Sequence, residues 1–155
     1  MCDHKKKTEV LGDLFKINQD CSASLSELMW QEPELSSILQ KLLNIEQDHL
    51  LELRKEVDPS FGDPADAVER RGEVYLEWQR RNSTPLIKES ETCSLCEKRM
   101  KDIIVAYNKA IQKSSELSEQ LTRMLQSQAE RLREAFAAVV KRSRENQHAH
   151  ESMAV

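Results

Sequence analysis

Between Pro85 and the last residue, Val155, the chain contains neither glycine nor proline, so nothing in this long stretch forces the backbone out of a helix. The whole sequence of 155 residues holds only three Gly and four Pro, which leaves little material for the turns of a β-sheet protein. Leu, Glu, Gln, Lys, Arg, Ser and Ala dominate, and most of these favour helices. Aromatic residues make up 5% and charged residues 32%, a balance that suits thin helical layers better than a thick globule. The expected fold is therefore all-α, with short N-terminal helices packed on or beside one long C-terminal amphipathic, coiled-coil-like helix.

The N-terminal part divides at its breakers. Residues 1–7, with Lys5, Lys6 and Lys7, read as a disordered basic start, and residues 8–82 as about three short helices. The first, Thr8 to Trp30, carries Val10, Leu11, Leu14, Phe15, Cys21, Leu25, Leu28 and Met29 at helical spacing, with a possible restart at the capping pattern Ser24-x-x-Glu27. Pro33 separates it from a second helix over 34–57, whose wide stripe of Leu35, Ile38, Leu39, Leu42, Leu43, Ile45, Leu50, Leu53 and Val57 predicts burial against more than one neighbour. Asp58 to Pro64 is a Pro/Gly loop, after which Asp63 can cap a short helix reaching to about Arg81. Gly72 falls inside that helix and is expected to weaken it by roughly 1 kcal/mol.

Residues 83–145 read as the long helix, beginning at Pro85 or at the capping pattern Ser94-x-x-Glu97, and residues 146–155 as a disordered tail. A helix of this length would extend ~90 Å. Steps of four and three from Met100 trace a register of about six heptads. Ile104, Ile111, Ser118, Leu125, Leu132 and Val139 take one core position, and Met100, Tyr107, Ser114, Leu121, Gln128 and Ala135 the other. A parallel line of Ile103, Ala110, Leu117, Met124 and Ala138 makes the stripe broad, which favours a bundle over a two-stranded coil. Ser114, Ser118 and Gln128 interrupt the seam and suggest exposure there. Three short helices are not enough to cover such a stripe. The residues expected to bind a partner are Ile104, Tyr107, Ile111, Leu121, Met124, Leu125, Leu132, Ala135 and Val139, with Met100–Ile111 packed by the chain's own helices and Leu121–Val139 left for another chain.

Chemistry-bearing patterns are sparse. Cys93-Ser94-Leu95-Cys96 has the spacing of half a zinc site or of a thiol pair, but only Cys2 with His4 is a comparable second pair, and Cys21 stands alone. Glu46-x-x-His49 and Glu145-x-x-His148 resemble the ligand pairs of carboxylate-bridged di-iron bundles, yet the second pair lies beyond the apolar stripe, which makes His49 a polar-face or partly buried residue. Residues 131–144 are basic, with Arg131, Arg133, Lys141, Arg142 and Arg144. Compensation of the helix dipole is the preferred reading of the cluster over a nucleic-acid contact, because no recognised module or aromatic interleaving accompanies it. Ser143 lies between two arginines as an exposed basic-context serine. No phosphate loop or nucleophile elbow occurs. A net charge of −4 steers toward neither sign of partner. Without an apolar signal or a run of membrane-spanning length, four cysteines are expected as reduced thiols in a cytoplasmic or nuclear protein. The function expected is that of a non-enzymatic helical interaction protein, a subunit or adaptor. It would dock on protein helices in a hetero-complex or homo-oligomer, with no cofactor, metal or small-molecule substrate. The alternatives are a zinc or thiol-redox bundle using Cys93 and Cys96, and a nucleic-acid-associated protein using 131–144.

Overall fold

The structure is a computed structural model that describes residues 2–56, 72–82 and 92–153, with side chains over 6–56, 72–81 and 94–146. The described residues form helices α1 (Cys2–Gln31), α2 (Ser36–Glu56), α3 (Glu73–Asn82), α4 (Thr92–Ser114) and α5 (Glu119–Met153), with a single 3-10 turn, Pro33–Leu35, between α1 and α2. The Asp58–Pro64 loop, the Asp63 cap and the boundary at 83–85 lie outside the described residues.

α1 passes through Ser24 without a break, because Cys21, Leu25 and Leu28 continue one buried stripe across it. Its first turns include most of the segment expected to be disordered. Pro33 ends the helix as expected. The Glu32 N–H still donates to the Leu28 carbonyl, and Leu35 N–H to Glu32, after which the chain reverses into α2.

The long helix is the main correction to the sequence expectation. It is two helices, α4 and α5, folded back on one another at 115–118. Serines make the break that glycine or proline would otherwise make. Ser114 Oγ donates to the Ile111 carbonyl at 3.0 Å, and the N–H groups of Leu117 and Ser118 turn back onto the Ser114 carbonyl at 2.9 and 3.1 Å. Ser118 Oγ then accepts from the Leu121 N–H at 3.2 Å, the geometry of an N-cap. What looked like polar interruptions of a heptad seam are a C-terminal closure and an N-terminal cap. At the other end α5 runs to Met153, through most of the expected tail.

Contacts between named residues fix the directions. Lys7 pairs with Glu56, and Arg54 stacks on Phe15, so α1 and α2 are antiparallel. Tyr107–Gln128 and Ser114–Thr122 make α4 and α5 antiparallel. Lys98, Lys109 and Lys113 of α4 meet Arg81, Glu77 and Glu73 of α3 in reverse order. α3 meets α1 from Asp13 to Asp20 through Gly72 and Tyr75. Four helices thus enclose the core as two hairpins, α1–α2 and α4–α5, joined by a long crossover that carries α3 along the outside.

Gly72 lies just before α3, not within it, and its role differs from the expected weakening. Asp13 of α1 accepts from the Gly72 N–H at 2.9 Å and from the Tyr75 N–H at 3.3 Å, so a buried carboxylate caps α3 across the fold. A Cβ on residue 72 would strike the side chains of Asp13 and Glu9. Burial raises the Asp13 pKa, and these two backbone donors oppose the rise.

Candidate functional site

The centre of the bundle is apolar for most of its length and then changes character. Leu11, Leu14, Leu39, Leu42, Leu53, Ile103, Leu121, Leu125, Leu132 and Phe136 are wholly or almost wholly buried. Among them sit Asn18 from α1, Glu46 and His49 from α2, and Gln128 from α5, each at 0% exposure. Buried polar groups cost free energy unless their hydrogen bonds are made, so the partners of these side chains decide what the site can do.

One part is bonded across three helices, although Asn18 Oδ1 and Gln128 Nε2 have no partner among the described residues. Asn18 Nδ2 donates to the Leu14 carbonyl at 2.8 Å and to the Tyr107 hydroxyl at 3.0 Å, and that hydroxyl donates to Gln128 Oε1 at 2.8 Å. The chain of bonds ties α1, α4 and α5 together. Burial, the largest influence, pushes the Tyr107 hydroxyl above its usual range, so it remains a neutral donor. Gln128 is therefore a buried acceptor and not an exposed interruption.

The other part is not. Neither oxygen of Glu46 and neither nitrogen of His49 has a hydrogen-bond partner among the described residues. Burial pushes the Glu46 carboxyl up to about 8, and the Cys21 thiol of α1, approaching without completing a good hydrogen bond, opposes this only weakly. Burial pushes His49 down to about 4, helped by the Arg131 charge on α5 and opposed by Asp48. His49 is wholly buried, where a polar-face or partly buried position was expected. Cys21 is itself pushed well above the usual thiol range, first by burial and then by Glu46, with Arg99 of α4 pulling the other way. Close to neutrality this corner is a carboxyl, a neutral imidazole and a protonated thiol, none of them a ready nucleophile.

The structure separates the sequence-derived candidates. Tyr107, Leu121, Leu125, Leu132 and Val139, expected on a partner interface, are in the chain's own core at 1% exposure or less. The reason is that α1 is 30 residues long and α5 folds back, so the stripe has cover that short helices could not supply. Ile104, Ile111, Met124 and Ala135 remain partly exposed at the edges of that core. Cys96 is buried in the core, while the side chains of Cys93, Cys2, His4 and His148 lie outside the described ones. On α5 the residue whose charge bears on His49 is Arg131, where a di-iron bundle would need a second Glu-x-x-His. Among the described residues no three His, Cys, Asp or Glu side chains converge as a metal site would require.

The basic segment is largely paired. Arg131 meets Glu52 at 3.4 Å, Arg133 meets Glu130 at 2.9 Å, Arg142 meets Glu145 at 3.9 Å, and Arg144 meets Glu97 of α4. Ser143, expected to be exposed, is buried at 6%. On the outer face Glu119 pairs with Arg123 at 2.6 Å, one turn apart, while Glu97 reaches across to Arg144.

One surface residue stands apart. Trp30, in the last turn of α1, is 88% exposed, while the other tryptophan, Trp78, is buried against α1 and α4 at 3%. In the sequence Trp30 marks the end of the first helix and lies outside its apolar stripe, which closes at Met29. No helix among the described residues is long and apolar enough to cross a membrane. No family model matches the chain, and no curated protein or solved structure is similar to it.

Proposed function

We propose that this protein is a non-enzymatic helical interaction protein, a subunit or adaptor that docks other proteins and does not turn over a substrate. The observation that carries this is Trp30. An indole ordered on a helix yet 88% exposed adds almost nothing to its own fold, and tryptophan is the side chain most often found to dominate binding energy at interfaces. The partly exposed Ile104, Ile111, Met124 and Ala135 add apolar edge area on α4 and α5, consistent with the C-terminal helices contributing to docking. The interior residues of those helices serve the bundle itself.

The test compares the full chain with Trp30→Ala as bait in cell extract, followed by reconstitution of each captured protein in pure form. The expected outcome is a partner that binds the variant at least about tenfold more weakly, as loss of a dominant side chain should give, with thermal unfolding unchanged. If every reconstituted partner binds both forms alike, or none reconstitutes, the proposal fails.

A further inference from the structure

The polar corner around Glu46 has a property that docking does not use. Its carboxyl lies at 0% exposure with neither oxygen partnered among the described residues, on the inner face of the α1–α2 hairpin, where it faces the α4–α5 hairpin. Each helix around it brings titratable or charged groups to this corner. α1 brings the Cys21 thiol. α2 itself brings His49 one turn on, and Asp48 beside that histidine. From α4 come Cys96 and Arg99, acting through Cys21, and the Tyr107 hydroxyl, which feels Glu46 directly. α5 brings Arg131, acting on His49. No cation among these holds Glu46 in an ion pair, and the nearest donor is a thiol, the weakest in the inventory. An ionised carboxylate in such a place must be reached by water, and the route for water is the joint between the hairpins.

We propose that Glu46 is a pH-sensitive latch: as the neutral acid it lets the two hairpins close, and its ionisation drives them apart. The sign follows from linkage. The folded-state pKa of Glu46 is raised from 4.5 to about 8, so the stability it permits is complete below 4.5 and is lost as pH rises toward 8. His49 runs the other way, because its pKa falls from 6.5 to about 4 and its contribution is lost as pH falls from 6.5 toward 4. The two slopes oppose each other at mildly acidic pH. Between 6.5 and about 8 the slope is that of Glu46, and one proton exchanged on unfolding changes the unfolding constant by about tenfold per pH unit; at higher pH the raised Cys21 thiol adds a loss of the same sign.

The experiment measures the unfolding constant of the full chain by denaturant titration from pH 5 to 9, for the wild type, Glu46→Gln and Cys21→Ser. The wild type and Cys21→Ser should both lose stability by about tenfold per pH unit between 6.5 and 7.5; above 8 Cys21→Ser should level off, while the wild type goes on falling as the Cys21 thiol ionises in the unfolded chain, with α2 and α4 amides exchanging faster in step. Glu46→Gln should stay flat over that window. Parallel profiles for the wild type and Glu46→Gln would overturn the latch, as would a drop that disappears in Cys21→Ser instead. If Glu46→Gln does not fold, the carboxyl carbon of Glu46 in the wild type is followed by NMR. A midpoint near 8 supports the latch, and one below 5 overturns it.

Discussion

α5 and α3 are both held against α4, yet by opposite means. α5 is 35 residues long and places Leu121, Leu125, Ala129, Leu132, Phe136, Val139 and Val140 in the common core. α3 has 10 residues and buries Val74 and Trp78. What α3 lacks in apolar area it recovers in polar attachment. Asp13 caps its start, Lys98 donates to the Arg81 carbonyl at its end at 2.7 Å, and Lys109 and Lys113 pair with Glu77 and Glu73 along its side. A helix of this length is marginal on its own, so its existence depends on those attachments. The contrast teaches that apolar burial dominates in the long hairpin, with Tyr107–Gln128, Ser114–Thr122 and Arg144–Glu97 added to it, while directional contacts place the crossover helix.

The sharpest way to break this comparison is Leu125→Asp. The leucine is at 0% exposure between the hairpins, and an unpaired carboxylate there forfeits its burial and adds the cost of a desolvated charge. The expected loss is more than about 4 kcal/mol, enough to unfold the whole bundle, α1 and α2 included. Circular dichroism at neutral pH reads it directly. A variant that kept folded N-terminal helices while losing only an assembly would restore the idea of a free C-terminal docking helix and refute the closed bundle.

Much of this was legible in the chain. The apolar stripes of α1, α2, α4 and α5 are all present as spacing, and the seam residues Tyr107, Leu121, Leu125, Leu132 and Val139 are inward-facing as the heptad register implied. What the register could not supply was the identity of the facing surface. A stripe seeks apolar cover whether that cover comes from its own chain or another, and the choice turned on the break at Ser114–Ser118. Serine serves equally as a cap, a turn or an exposed helix residue, and only Ser118 followed by Glu119 pointed to a new start. The polar core was hidden for another reason. Glu46 and His49 follow Leu39, Leu42 and Leu43 at helical spacing, so phase places them inward, but their charge argued for the outside, and phase prevailed. The Asp13–Gly72 cap joins residues 59 apart and leaves no local mark.

A smaller effect is expected from Gly72→Ala, which sharpens the comparison by touching α3 alone. The added methyl would collide with the Asp13 and Glu9 side chains, so either the cap or the approach of α3 to α1 must give way. The cost should be about 1–3 kcal/mol, within the range for overpacking a tight site. The Trp78 emission maximum should shift to the red as α3 lifts, because this indole is at 3% exposure only while α3 is docked. Unchanged emission together with unchanged stability would mean that the Asp13 contact does not hold α3 in place.

The smallest effect is expected from Lys109→Ala. Its ammonium meets Glu77 at 2.5 Å, and that hydrogen bond is the first cause of the lowered Glu77 pKa, yet both side chains stay partly open to solvent. Exposed pairs of this kind contribute little, and that little is screened once the Debye length shrinks to about 3 Å in molar salt. Amide exchange of α3 should therefore quicken slightly in Lys109→Ala at low salt and match the wild type at high salt, always by less than in Gly72→Ala. Were Lys109→Ala to release α3 as fully as Gly72→Ala, and to do so in high salt as well, the lysine row and not the Asp13 cap would be what positions the crossover helix. The two hairpins would then be joined across a contact made only of surface charge.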